Sequence, residues 1–167
     1  MTPAVQQLKK AKLPFRLLEY QNSSAHYNFG LDSAEKLGLA KEIVFKTLVA
    51  CDDSDPHKMV VAVIPVDKQL DLKALAKVAR IKKMRMADIP VAERTTGYVK
   101  GGISPFGQKK RLVTFLDNRA EKLPEIVVSA GKRGLSMGLH AVVFQQVLNA
   151  QLERIASTSS GCFFSET

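Results

Sequence analysis

The sequence predicts one α/β domain built around a mixed β-sheet. A length of 167 residues suits one domain. Hydrophobic residues make up 46% of the chain, enough to bury a core. Strand-like runs occur both as a hairpin and singly between helical stretches, which calls for antiparallel and parallel pairing together. No internal repeat or shift in composition marks a second domain. The expected unit is therefore 1–157, with the aperiodic residues 158–167 as a flexible tail.

The elements follow in order. Thr2 and Pro3 form an N-cap and first helical position, Val5 and Leu8 share one face of the helix, and Pro14 ends it. Residues 15–20 read as a strand and 22–30 as a polar loop. Asp32 and Glu35 resemble a capping box opening a helix that ends at Gly38. The apolar runs 43–51 and 58–66 flank the turn-rich DDSDPH, a hairpin signal. Asp71 caps a helix carrying Leu72, Leu75, Ala76 and Ala79. A short strand over 82–87 follows, and Asp88 with Pro90 opens a helix reaching Gly97. Residues 97–107 are rich in Gly, Ser and Pro and form a loop. Residues 112–116 and 125–129 read as strands. A glycine-rich turn over 131–138 leads into a helix bearing Val142, Val143, Val147 and Leu148.

Composition narrows the function classes. Lys and Arg number 25 against 16 acids, a net charge of +9 that favours polyanions such as nucleic acid. The N-terminus has no apolar signal core, and no apolar run spans a membrane, so a cytoplasmic protein with no membrane partner is expected. Cys51 and Cys162 lie far apart and form no CxxC pair. His26, His57 and His140 have no metal spacing, so neither metal nor cofactor is expected. There is no GxSxG elbow, and Cys51 in its apolar run reads as a buried structural thiol.

Three segments could carry chemistry. Lys46 stands inside the apolar strand IVFKTLVAC, on one face with Val44 and Leu48, while Phe45, Thr47 and Val49 take the other. The pattern favours an outward-facing edge lysine; the alternative is a cation aimed into a wet pocket, towards a carbonyl or phosphate oxygen. In TGYVKGGISPFGQKKR, Gly101 and Gly102 allow close approach of backbone to a ligand. Lys109, Lys110 and Arg111 form a cationic run, either phosphate-binding or merely solvated. VSAGKRGLS ends a strand in small residues followed by Lys132 and Arg133. By itself it reads as an ordinary turn.

Taken together, FKTL at 45–48, TTGY at 95–98, GGISPFGQKKR at 101–111 and VSAGKRGLS at 128–136 resemble the bacterial YbaK family of Cys-tRNA(Pro) deacylases. Order and spacing agree over nearly the whole chain, and MTPAV, YNFG and AEKLGL look similar too. The resemblance implies a single α/β domain with a mixed and strongly curved sheet flanked by helices, related to the editing domain of bacterial prolyl-tRNA synthetases. It implies an aminoacyl-tRNA hydrolase acting on mischarged tRNA(Pro), with prolyl-tRNA synthetase as a transient partner. Carried over by position, Lys46 and Gly101 are the expected catalytic residues, and Tyr20, Phe29, Thr47, Gly102 and Ser129 the expected substrate contacts. From charge, Lys109, Lys110, Arg111, Lys132 and Arg133 are expected to face the tRNA. Two positions depart from the pattern: Ser136 stands where some members carry Asp, and Ala130 where a glycine is common.

The implied mechanism is substrate-assisted. The cysteinyl thiol attacks its own ester while the protein orients and stabilises it. The rival expectations are an Ala-tRNA(Pro) deacylase and a non-catalytic tRNA- or synthetase-binding protein.

Overall fold

Helix α1, Pro3–Ala11, starts where the sequence says it should: the Thr2 hydroxyl accepts the Val5 amide at 3.3 Å and Pro3 takes the first turn. It buries Ala4, Val5 and Leu8, and ends before Pro14 because Lys12 adopts a left-handed conformation. The computed structural model describes residues 1–21 and 29–157. The expected tail at 158–167, most of the polar loop, and His26, Tyr27 and Cys162 lie outside the described residues.

The order continues β1 (Arg16–Glu19), α2 (Phe29–Leu37), β2 (Phe45–Asp52), β3 (Asp55–Pro65), α3 (Leu72–Ala79), β4 (Met84–Met86) and α4 (Ile89–Thr96). It ends with β5 (Val113–Asp117), a 3-10 turn at Asn118–Lys122, β6 (Ile126–Lys132), β7 (Leu135–Leu139), α5 (Ala141–Leu148) and β8 (Gln151–Glu153). The chain is α/β with mixed strand pairing, as expected. The strands divide into two sheets: a five-stranded sheet in the order β4-β2-β3-β5-β8 and a three-stranded sheet β1-β7-β6. In the larger sheet β5 lies parallel to β3 and β8, while β2 is antiparallel to β3 and β4. The smaller sheet is wholly antiparallel. A parallel bridge between Val44 and Val127 joins the two, with the Val127 amide donating to Ile43 at 2.8 Å.

The largest core cluster lies between the sheets, where Phe45, Val61, Val63 and Leu116 meet Ile126, Val128, Met137 and Phe144. Phe106 packs on Phe144 with ring centroids 4.8 Å apart. A second cluster puts α3, through Leu75 and Ala76, on the other face of the large sheet against Leu48, Ala62 and Ile64.

Three local expectations need correction. Residues 135–139 are not a turn but strand β7, hydrogen-bonded to β6 on one side and β1 on the other; these non-local partners outweigh the weak strand propensity of Ser136 and Gly138. β8 was not expected at all, being three residues long and held by pairing with β5. Helix α2 begins at Phe29, so Asp32 is not its cap; it is buried in the first turn.

Candidate active site at the seam between the sheets

β2 pairs with β3 along its whole length, but on its other edge β4 pairs only from Ala50 onwards. Between there and the Val44 bridge, a cavity of about 40 Å³ opens beside the strand. Because it lies off the strand's edge, neighbours from both faces border it: Val44, Phe45, Lys46 and Thr47 all do. The edge reading of Lys46 is therefore overturned in the sense that matters. Lys46 is only 7% exposed and lines the cavity. Registered opposite Ile64 of β3, it is carried on a strand buried over residues 45–51.

Other walls come from distant segments. Phe29 begins α2, and Tyr20 follows β1, its amide donating to Gly134 at 3.0 Å. Ser129 of β6 and Ser136 of β7 are registered opposite one another, so both hydroxyls border the same space. The β6 register shifts just beyond, and there the Gly131 amide donates to the Ser129 hydroxyl at 3.2 Å. Ile103 and Gly101 complete the wall from the glycine-rich loop.

That loop is held from several sides. The Tyr98 hydroxyl donates to the Phe106 carbonyl at 2.7 Å, and burial pushes its pKa up to about 12, so it stays a neutral donor. Gly107 donates its amide to Gln7 of α1 at 2.7 Å. Gly101 has φ +86°, and a Cβ there would stand 2.8 Å from the Phe29 ring and 2.9 Å from the Arg133 guanidinium. Only glycine lets the loop close this tightly on the cavity.

Of the residues expected at the site, Tyr20, Phe29, Lys46, Thr47, Gly101 and Ser129 meet in one cavity. Gly102 does not border it. Its α-carbon packs on the Lys132 backbone, where a Cβ would come within 2.8 Å, so it positions the loop from behind. The basic residues divide. Lys132 and Arg133 are exposed and line a polar groove of about 460 Å³ that shares Tyr20 with the cavity. Arg133 donates to the Lys100 carbonyl at 2.8 Å and stacks 4.5 Å above Phe29. Lys109, Lys110 and Arg111 are exposed too, but Arg111 lines a separate depression with Gln7 and Val147, which shares no lining residue with the cavity.

Sequence reasoning missed Ser33, whose hydroxyl lies 3.3 Å from that of Ser136, with both side chains buried and both on the cavity wall. A helix start placed at Asp32 put Ser33 in a first turn; the true start at Phe29 moves it a turn further in and turns it towards β7. Cys51 lines no part of the cavity, and burial raises its thiol pKa, as suits a structural cysteine. Among the described residues no group of His, Cys, Asp and Glu could hold a metal ion, and no helix is long and apolar enough to cross a membrane.

Comparison with known proteins identifies the family. Residues 31–146 match the model of the aminoacyl-tRNA editing domain. A protein of Enterococcus faecalis, named "Putative Cys-tRNA(Pro)/Cys-tRNA(Cys) deacylase EbsC", is 38% identical over 156 residues, 93% of each chain. Among solved structures, one described as "a putative trans-editing enzyme for prolyl tRNA synthetase" superposes with a TM-score of 0.78 at 17% identity, covering 94% of this chain and 99% of that one. Another, a "hypothetical protein APE2540", gives 0.82 at 21% identity, covering 93% and 99%. At these identities the two structures speak for the fold alone. The matched domain and the identity to the deacylase together place the chain in the aminoacyl-tRNA editing family, as an aminoacyl-tRNA hydrolase.

Proposed function

We propose that the chain clears cysteine from mischarged tRNA(Pro) in trans, and that the substrate's own thiol is the nucleophile. One observation carries the mechanism. The described cavity wall has one cation, Lys46, and five hydroxyls, on Tyr20, Ser33, Thr47, Ser129 and Ser136, but no His, Cys, Asp or Glu to activate any of them. A hydroxyl without an adjacent base is a poor nucleophile at neutral pH, whereas a thiol is intrinsically a good one. The cysteinyl sulfur attacks its ester carbonyl, a C–S bond forms and the C–O bond to the terminal ribose breaks. The thiol proton ends on the departing hydroxyl. The cyclic thioester then hydrolyses to cysteine in water.

In this reading Lys46 and the backbone at Gly101 stabilise the developing oxyanion, while Tyr20, Phe29, Thr47 and Ser129 hold the small side chain. The cavity's size supports a small substrate: about 40 Å³ holds only a few water-sized groups, at roughly 10–15 Å³ for each. An activation site built for proline discriminates poorly against a residue of similar size, by only ~1–3 kcal/mol, which is the need such an editor serves. The name of the 38% identical relative supports cysteine and extends the candidates to Cys-tRNA(Cys). α1 and β1, which precede the family match, pack on the core and lead to Tyr20, so we take the editing unit to run from residue 1 to 157. Cytoplasmic location and a transient contact with prolyl-tRNA synthetase belong to the same reading.

The test is deacylation of Cys-, Ser-, Ala- and Pro-charged tRNA(Pro), and of Cys-tRNA(Cys), by catalytic amounts of protein. Cysteine should be released over many turnovers, serine far more slowly, and the cysteine rate should rise with pH as thiolate forms. Equal cysteine and serine rates with a flat pH profile would transfer the nucleophile's role to water. Preferred release of alanine would make this an Ala-tRNA(Pro) deacylase, and binding without turnover of any substrate would reduce the protein to a tRNA-binding module.

A further inference from the structure

We infer that the Ser33–Ser136 hydroxyl pair is the specificity element that receives the α-amino group of the bound aminoacyl ester. The inference rests on the chain being an aminoacyl-tRNA hydrolase, not on which amino acid it removes. The two hydroxyl oxygens are 3.3 Å apart, and Ser33 and Ser136 are 5% and 3% exposed; both border the cavity. One hydroxyl donates to the other. That leaves the pair one O–H donor and three acceptor lone pairs, a surplus of acceptors.

An aminoacyl ester brings three polar groups into such a space. The carbonyl is an acceptor and matches a cation, which Lys46 offers. A thiol is at best a weak donor. The α-amine is the strong donor and needs oxygen acceptors. The described wall offers no carboxylate, and the Ser129 oxygen already accepts the Gly131 amide at 3.2 Å. An amine lodged beside Lys46 would be repelled by it, so the amine and the carbonyl separate to different sides of the cavity. That separation fixes which face of the ester carbonyl is presented and distinguishes an aminoacyl ester from an ordinary acyl one.

The experiment crosses the enzyme's hydroxyls with the substrate's amine. Ser33→Ala, Ser136→Ala and the double variant are assayed on cysteinyl-tRNA(Pro) and on tRNA(Pro) carrying 3-mercaptopropionyl, which keeps the thiol and lacks the amine. Removing both hydroxyls leaves no buried group unpaired, so the double variant should fold. The expected result is a loss of at least ~10-fold in kcat/KM on the cysteinyl substrate, the scale of a hydrogen bond to a charged group, and a change within about 2-fold on the deamino substrate. Equal losses on both, or no loss on either, would overturn the assignment. If wild type prefers another amino acid, that ester and its deamino partner replace the cysteinyl pair, so the reading of cysteine can fail while this one stands. Binding of a non-hydrolysable 3′-amide of adenosine, with and without its α-amine, repeats the comparison without turnover: the double variant should lose the amine's contribution to affinity, and an undiminished contribution overturns the proposal.

Discussion

A lysine with 7% of its surface exposed, on a strand with apolar neighbours, needs a reason to be there. If that reason is the reacting carbonyl, Lys46→Ala should leave the melting temperature native-like and lower turnover by ~10²-fold or more, the scale of a missing oxyanion donor. Wild-type turnover in a folded variant would remove Lys46 from the mechanism. Gly101→Ala should behave differently. Its Cβ would meet Phe29 and Arg133 below 3.0 Å at a φ unfavourable to other residues, so both stability and activity should fall, by ~1 kcal/mol or more for the former. Cys51 should resist alkylation in the native protein at neutral pH, since burial holds its thiol protonated. At this scale the sequence was informative about identity but not about direction. Alternation separated Lys46 from Thr47 correctly, yet nothing local to IVFKTLVAC says that β4 stops pairing at Ala50 and leaves a gap beside them both.

Among elements, legibility followed local chemistry. Helices α1, α3 and α4 start at their predicted Thr2, Asp71 and Asp88, because a cap or a proline acts within a few residues. The β2–β3 hairpin was legible from its turn, although the strands run closer together than expected and leave only Asp53 and Ser54 between them. β7 was not legible: its stability comes from β1 and β6, and neither pairing is written in its own five residues. The smaller sheet carries a long-range tie on its surface, where Arg16 of β1 grips Glu125, just before β6, through two hydrogen bonds of 2.7 and 2.8 Å. The Arg16 hydrogen bonds lower the Glu125 pKa below its ordinary 4.5. The pair's contribution is thus present above that ordinary value and is lost as pH falls through the lower, folded one. Melting temperatures of wild type and Glu125→Gln should differ most near neutrality and converge in acid. A gap that persists under acid conditions would mean the stabilisation does not come from the ion pair.

For the molecule as a whole, the net charge of +9 includes two clusters with different positions relative to the site. Lys132 and Arg133 border a groove that shares Tyr20 with the cavity, whereas Arg111, the last of the run Lys109, Lys110 and Arg111, lines a separate depression. Neutralising Lys132 and Arg133 should raise KM and reduce the salt dependence of tRNA binding, by about one in the slope for each phosphate left without its cation. Neutralising the other three should do the same only if the acceptor stem reaches that side; an unchanged slope would make them a solvated surface. Composition alone indicated a polyanion partner but could not rank the clusters, because rank depends on which loop folds over the cavity.

The walls of that cavity begin at Tyr20 and end at Ser136, drawn from both sheets, α2 and a loop between them. No contiguous stretch of chain holds enough of it to act. The site therefore comes into being only when the two sheets close on each other, and it disappears when they part. Catalysis is then a reporter of global folding: in a denaturant titration, loss of turnover should coincide with loss of far-UV ellipticity, with no active fragment surviving partial unfolding.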